Sequence, residues 1–305
     1  MCGIGGELRL DGGEPDLALM GRMIRHLSRR GPDHEGVWSD GPLLLGHRRL
    51  SVIDLSDRSN QPLVDPDLGL ALVFNGAIYN YRELRRDLIA KGYRFFSEGD
   101  TEVILKAYAE WGERCVERLI GMFAFALWNL RERSLFLARD RLGIKPLYYA
   151  RTPRAFRFAS NSQALLAAPE VDTAIDPVAL HHQLTLHAVI PAPRTILKGI
   201  RKLTPATTLT IDASGNERSR VYWRLRAMRP AEARTEAEWT EAVHAALRLA
   251  VRRRLDIADV PVGVLLSGGL DSSLLVALLA ETGVRDLLTF SVGFEDQPEE
   301  KGSEF

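Results

Sequence analysis

Leu17, Met20, Ile24 and Leu27 recur at helical spacing behind Pro15-Asp16, a pair that opens helices, and the pattern ends near Arg29-Arg30-Gly31-Pro32. A strand-like stretch precedes them. The pattern then shortens to apolar or alternating runs at residues 43–45, 50–53 and 70–74, which predict strands. Helical spacing returns at Tyr81–Ala90 and at residues 101–119, followed by strand-like runs at 123–128, 135–138, 147–150 and Ala155–Ala159. Two batches of strands around a pair of helices predict a layered α+β domain.

Residues 191–223 are rich in Pro, Thr and Gly, with a strand-like run at 208–211 and a turn at Ser214-Gly215-Asn216, and read as the edge of that domain. The charged stretch 224–234, with Pro230 and no hydrophobic period, reads as a linker. Thr235-Glu236-Ala237-Glu238 has capping-box spacing and opens a helix expected to turn Trp239, Val243, Leu247 and Val251 inward. A buried strand at 261–266 then meets a glycine-rich turn and a helix from about Ser272.

Composition narrows the class. The chain has 305 residues, enough for about two domains, with 46% hydrophobic and 26% charged residues, as in a soluble globular protein. Lys+Arg and Asp+Glu both total 40, which removes any net pull toward nucleic acid or an anionic membrane and favours small-molecule chemistry. Two cysteines, Cys2 and Cys115, make no disulfide framework. No apolar run approaches the ~20 residues that span a bilayer, and no signal-peptide core is present, so the expected location is cytoplasmic.

Candidate chemistry begins at Cys2. Met1 precedes a small residue and is expected to be removed, leaving a thiol and a free α-amine on one residue. An α-amine titrating near ~7.7–8.0 can take the thiol proton without a histidine partner. A second concentration lies at Ser267-Gly268-Gly269-Leu270-Asp271-Ser272-Ser273, between an apolar strand and an apolar helix. Backbone N–H groups at such a helix start face an anion, with phosphate the obvious guest. Gly268 and Gly269 allow close approach, Ser267, Ser272 and Ser273 add hydroxyls, and Asp271 can hold a metal ion bridging phosphates. The heptad is neither a Walker loop nor a GxGxxG dinucleotide motif.

The heptad resembles the pyrophosphate loop of enzymes that use ATP to adenylate a carboxylate or carbonyl oxygen. Met1-Cys2-Gly3-Ile4, Arg30-Gly31-Pro32-Asp33, Arg49-Leu50-Ser51, Asn75-Gly76-Ala77-Ile78-Tyr79-Asn80, Gly99-Asp100-Thr101-Glu102 and Arg139-Asp140-Arg141-Leu142-Gly143-Ile144-Lys145-Pro146 resemble the class II glutamine amidotransferases. In this order the two halves resemble the glutamine-hydrolysing asparagine synthetases over essentially the whole chain. The resemblance implies a four-layer αββα N-terminal-nucleophile glutaminase domain over residues 2–223 and a linker at 224–234. It implies the start of an α/β doubly wound ATP-binding domain at 235–305, incomplete where the chain stops, so the chain reads as a fragment able to hydrolyse glutamine but not to complete amide synthesis.

By the same resemblance Cys2 attacks the glutamine side-chain amide, giving a γ-glutamyl thioester and ammonia, with its α-amine as base. Asn75 and the Gly76 N–H are the implied oxyanion donors, a role in which losing one donor typically costs ~2.7–4 kcal/mol. Arg49 and Asp100 match the positions that hold the glutamine carboxylate and ammonium. Read blandly, Arg49 is a surface charge and Asp100 a helix N-cap. Leu265 and Val292, in apolar strands, match positions that touch adenine, and their bland role is sheet core. ATP and Mg²⁺ are the implied co-substrate and cofactor, with ammonia displacing AMP from an acyl-adenylate, and a homodimer is implied too.

Ala77 stands where many asparagine synthetases have Glu, which bears on the acceptor. Aspartate is the default; the alternative is an enzyme resembling N-acetylglutaminylglutamine amide synthases, suggested by Ala77, by His187-Ala188-Val189-Ile190-Pro191-Ala192-Pro193-Arg194-Thr195 and by Glu300-Lys301-Gly302. A glutamine-binding or regulatory module without turnover is the alternative of another class. Cys115 reads as a small core residue, His181, His182 and His187 lack partners at metal-ligand spacing, and Arg252-Arg253-Arg254 complements a helix C-terminus.

Overall fold

Strands covered on both faces should read as apolar runs rather than as alternation, and the central strands here do so because they lie between a second sheet and a layer of helices. A computed structural model describes residues 1–212, 214–229, 233–284 and 286–293. Residues 230–232 of the expected linker and Glu300-Lys301-Gly302 lie outside the described residues. The chain divides into two compact units, Met1–Leu225 and Arg226–Phe305.

In chain order the first unit begins with β1 (Gly3–Arg9), α1 (Leu17–Arg25), β2 (His34–Asp40), β3 (Leu43–Arg49), β4 (Leu63–Asp65) and β5 (Leu70–Ile78). Helices α2 (Tyr81–Ala90) and α3 (Asp100–Trp111) follow, then β6 (Gly121–Asn129), β7 (Ser134–Arg139), β8 (Tyr148–Arg151) and β9 (Ala155–Ala159). It closes with α4 (Ser162–Leu165), α5 (Pro177–Thr185), β10 (Arg201–Lys202), β11 (Thr207–Ile211) and β12 (Glu217–Val221).

The strands form two six-stranded antiparallel sheets, in the orders β10-β8-β9-β1-β3-β2 and β12-β11-β7-β6-β5-β4. Between them lies a shared core in which Ile4, Leu43 and Phe158 of one sheet meet Val73, Ala126 and Leu137 of the other. On the outer face of the first sheet, Met20, Met23 and Ile24 of α1 pack with Leu44, Ala159 and Leu165 of α4. On the second, α3 lays Tyr108 against Phe136, ring centroids 5.3 Å apart. The result is helix, sheet, sheet, helix.

Several expected elements shift. The buried stripe of α1 is Leu19, Met20, Met23 and Ile24, with Leu17 exposed as the first helical residue after Asp16, which caps the helix by accepting the Leu19 N–H at 2.9 Å. Residues 50–53 form no strand. The expected helix at 101–119 stops at Trp111, where Gly112 takes φ +58, and Cys115 is buried in a tight 3₁₀ turn over Gly112–Glu117. Strand β2 lacked an apolar run to announce it.

The second unit contains α6 (Glu236–Leu255), β13 (Gly263–Leu265), α7 (Leu270–Glu281) and β14 (Leu288–Phe290). Strands β13 and β14 pair in parallel, with Val264 opposite Thr289. Thr235 and Glu238 form the capping box. A small core joins Val251, Val264, Leu278 and Leu279. Trp239 and Val243 are exposed, contrary to expectation, and of β13 only Val264 is buried. The core of this unit gathers on the later turns of α6, leaving its first turns uncovered among the described residues. No helix among the described residues is long and apolar enough to cross a membrane.

Candidate active site

Cys2 precedes β1, and the pairing of Gly3 with Arg48 sets it beside the end of β3. Its Sγ accepts the Leu50 N–H at 3.4 Å, and the thiol faces the Leu50 carbonyl oxygen at 3.6 Å. Arg30 donates Nε–H to the Cys2 carbonyl at 3.0 Å. Burial pushes the Cys2 thiol up, against the opposing pull of the Leu50 N–H and the terminal amine.

Arg49 ends β3 and is buried, which excludes the surface-charge reading. Its Nη1 donates to the Ser56 carbonyl at 2.8 Å and to Asn60 Oδ1 at 2.7 Å, while Nη2 donates to the Ile53 carbonyl at 3.4 Å and to that of Asp54. The guanidinium therefore winds residues 50–60 around itself, and this is why the apolar run 50–53 is a loop. Asp54 ties the same loop onward, accepting from the Ser59 hydroxyl at 2.5 Å and the Glu98 N–H at 2.8 Å.

Asn75, in β5, is fully buried, and neither its amide nitrogen nor its amide oxygen has a hydrogen-bond partner among the described residues. Most buried polar atoms are paired, so an orphaned amide on a cavity wall marks a place where a ligand completes the bonding. Gly76 faces Phe123 across the β5–β6 ladder, and a Cβ there would lie 2.6 Å from the Phe74 ring and collide with the Met122 carbonyl oxygen. Only glycine lets the strands close at this point.

Asp100 is the first residue of α3, and Gly99, not Asp100, is the N-cap. Its Oδ2 accepts the Ile78 N–H at 3.0 Å, joining the end of β5 to the helix start. Burial pushes this carboxyl up to about 7, against the backbone N–H groups around it and the charge of Arg49. Glu102, two residues on, accepts the Ser97 N–H at 2.8 Å and the Ser97 hydroxyl at 2.7 Å and so fixes the approach to Asp100.

Cys2, Arg49, Asn75, Gly76 and Asp100 line one cavity of about 130 Å³. A thiol, an unpaired amide, one guanidinium and one carboxyl thus share the same small cavity. A larger cavity of about 580 Å³, lined among others by Leu10, Gly12, Pro15 and Arg133, contains none of these groups. The chemistry, not the volume, identifies the site.

Two further residues on the wall had no role assigned from sequence. Gln61 accepts the Phe74 N–H at 2.6 Å and donates to Thr101 Oγ1 at 3.3 Å, joining β5 to α3. Lys145 comes from the loop that closes on Asp140, whose carboxylate accepts the N–H groups of Phe123, Leu142, Ile144 and Lys145 at 2.9–3.2 Å. The motif around Lys145 was visible, but the partner that gives it meaning, Met1, is 144 positions away.

The heptad lies in the second unit. Gly268 takes φ +80, open to glycine at no steric cost, and Gly269 caps α7 without a side-chain hydrogen bond. Ser272 Oγ lies 3.2 Å from Ser267 Oγ and donates to the Gly269 carbonyl at 3.1 Å; Asp271 and Ser273 are exposed. Leu265 and Val292 are 76% and 70% exposed, so neither is sheet core, and Val292 lies past the end of β14 rather than in a strand.

Residues 1–223 match the family described as glutamine amidotransferase domain, and residues 242–305 the family described as asparagine synthase. The chain is 38% identical over 283 residues to asparagine synthetase (glutamine-hydrolyzing) 3 of Bacillus subtilis, covering 91% of this chain and 45% of that protein. It is 36% identical over 258 residues to the amidase chry2 of Gibberella zeae, covering 83% of this chain and 37% of that protein. The chain thus spans less than half the length of these relatives. Among solved structures, the glutamine phosphoribosylpyrophosphate amidotransferase of B. subtilis, complexed with ADP and GMP, has a TM-score of 0.53 at 18% identity, covering 95% of this chain and 65% of that one, a likeness of fold alone. The chain belongs to the glutamine amidotransferase family, in the branch whose amidotransferase domain is followed by an asparagine synthase segment.

Proposed function

We propose that residues 2–223 form a glutaminase and that Cys2, freed of Met1, is its nucleophile. The observation that carries this is the buried, unpartnered Asn75 amide on the same cavity as Cys2, Arg49 and Asp100. Glutamine enters with its α-carboxylate toward Arg49 and its ammonium toward Asp100. The Cys2 α-amine takes the thiol proton, Sγ attacks the amide carbon, and the Asn75 Nδ2–H and Gly76 N–H hold the oxyanion. Collapse breaks the C–N bond, the amine returns its proton to the leaving nitrogen, and ammonia departs. Water then cleaves the thioester, releasing glutamate and restoring the thiol. Ammonia release from glutamine tests this: it is expected from the wild type and absent from Cys2→Ala. Release by Cys2→Ala at the wild-type rate would assign the attack to another nucleophile, and no release by the wild type would leave a glutamine-binding module.

Residues 224–234 are proposed as a linker and 235–305 as the opening of an ATP-binding synthetase domain. Left-handed Gly268, the free N-terminus of α7 and the converging Ser267 and Ser272 hydroxyls fit the phosphates of ATP. Leu265 and Val292, exposed apolar residues, suit an adenine face, and Asp271, in the first turn of α7 and exposed, suits Mg²⁺ on the phosphates. ATP would supply activation of a carboxylate as an acyl-adenylate. The proposed reaction amidates aspartate to asparagine in the cytoplasm; an acetylated glutaminyl dipeptide is the second acceptor, favoured by Ala77, whose methyl group gives the cavity no charge. Amide-labelled glutamine, ATP and each acceptor, given to the enzyme encoded by the full reading frame, decide between them by the mass of the labelled product.

A further inference from the structure

We infer that Lys145 is a positioning residue of the glutaminase: the fixed cation that keeps the Cys2 α-amine in its neutral, proton-accepting form. This rests on the reading of Cys2 as a nucleophile that supplies its own base. Lys145 is 2% exposed, and its backbone is pinned where the Asp140 carboxylate gathers four N–H groups. Its Nζ donates to Met1 Sδ at 2.8 Å, one residue from the Cys2 nitrogen. A thioether is a weak acceptor that carries no charge, so this contact does not itself neutralise the ammonium. Burial and Arg30 lower Lys145 from the ordinary lysine value, while Cys2, when ionised, and Asp140 raise it. When Met1 is removed, the amine passes to Cys2 and the space over Lys145 joins the cavity that both residues line.

The charges around the terminus favour the same outcome. Arg30 lies close as well, donating to the Cys2 carbonyl at 3.0 Å, and its buried Nη2 has no hydrogen-bond partner among the described residues. The carboxylate facing it is Asp33, which accepts the Ser51 N–H at 2.7 Å. In the chain as it stands the terminal amine is that of Met1: burial lowers it, an ionised Cys2 and Asp33 raise it, Lys145 and Arg30 lower it, and the net direction is down from the ordinary α-amine value. Removal of Met1 would leave the same charges around the Cys2 amine. A base that must be neutral in order to act gains from cations that a conventional acid–base pair would avoid.

The test is the pH dependence of kcat/KM for glutamine hydrolysis in the wild type, Lys145→Gln and Lys145→Arg. Without the cation the amine protonates more readily, so the acid limb of Lys145→Gln moves to higher pH, with a loss of about three- to tenfold near pH 6 that is largely recovered near pH 9. Lys145→Arg keeps the wild-type limb. A loss of equal size at every pH, or an unmoved limb, would overturn the inference. A second readout avoids activity: acylation rates of the terminal amine against pH, in a Cys2→Ser background with and without Lys145→Gln, should give the higher amine pKa without the lysine. Equal pKa values would overturn the inference even if Cys2 proved not to be the nucleophile; activity surviving in Cys2→Ala would overturn the nucleophile reading and leave the amine titration standing.

Discussion

Asp100 accepts the Ile78 N–H at 3.0 Å, and through this one bond the end of β5 and the start of α3 share a buried carboxylate. With its carboxyl pushed up to about 7 by burial, Asp100 is expensive to ionise unless a cation arrives. In the proposed reaction the glutamine ammonium is that cation, so the group that would bind it weakens the empty protein.

Asp100→Asn should therefore separate binding from stability. A carboxyl raised from 3.8 to about 7 on folding makes the folded state bind more protons than the unfolded one between those values, so wild-type stability falls as pH rises through that window. The variant escapes the loss. At pH 8 it should be more stable than the wild type by on the order of 2 kcal/mol, or roughly 4–8 °C in Tm, and below pH 4 the difference should vanish. Its KM for glutamine should rise at least about tenfold. Denaturation at the two pH values, with glutamine kinetics, checks both halves.

Asn75→Ala removes an amide that makes no hydrogen bond in the empty protein. The fold should lose little, within about 1 kcal/mol, because no bond is broken and no partner is orphaned. Turnover should fall by about 10²–10³ if the amide meets its partner in the oxyanion. An equal loss in urea stability and in kcat would assign Asn75 to the fold instead.

Much of the frame was legible from pattern. The bounds of α2 coincide with the run Tyr81–Ala90, and β9 with Ala155–Ala159. Periodicity pointed to Leu17 as an inward residue of α1, because it lies on the stripe through Met20 and Ile24; the observed stripe is rotated toward Met23 and Leu19, and Leu17 is left outside. The run at 50–53 looked like a strand because nothing local records that Arg49 takes up the carbonyls of Ile53, Asp54 and Ser56. The site itself had no local signature. Cys2 and Asp100 are far apart in sequence, and only the β1–β3 pairing and the β5–α3 junction bring them to one cavity, so without the resemblance each would have read as an isolated thiol or cap.

Arg49→Lys keeps the charge and loses the fork. An ammonium has three donors and no planar geometry with which to satisfy the carbonyls of residues 53, 54 and 56 together with Asn60. The loop 50–60 should become susceptible to proteolysis, and KM should rise by about tenfold or more while Asn75 and Cys2 stay in place. Limited proteolysis with mapping of the first cut, alongside glutamine kinetics, reads both effects.

In the proposed reaction Cys2 forms a thioester with the glutamyl group. Acid-quenched intact mass of the processed protein, sampled within the first turnover on glutamine, tests it most directly. A transient adduct of one glutamyl group is expected, mapped to the N-terminal peptide, that decays as glutamate appears and never forms in Cys2→Ala. Glutamate and ammonia produced at full rate with no adduct on Cys2, or with an adduct on another residue, would contradict it.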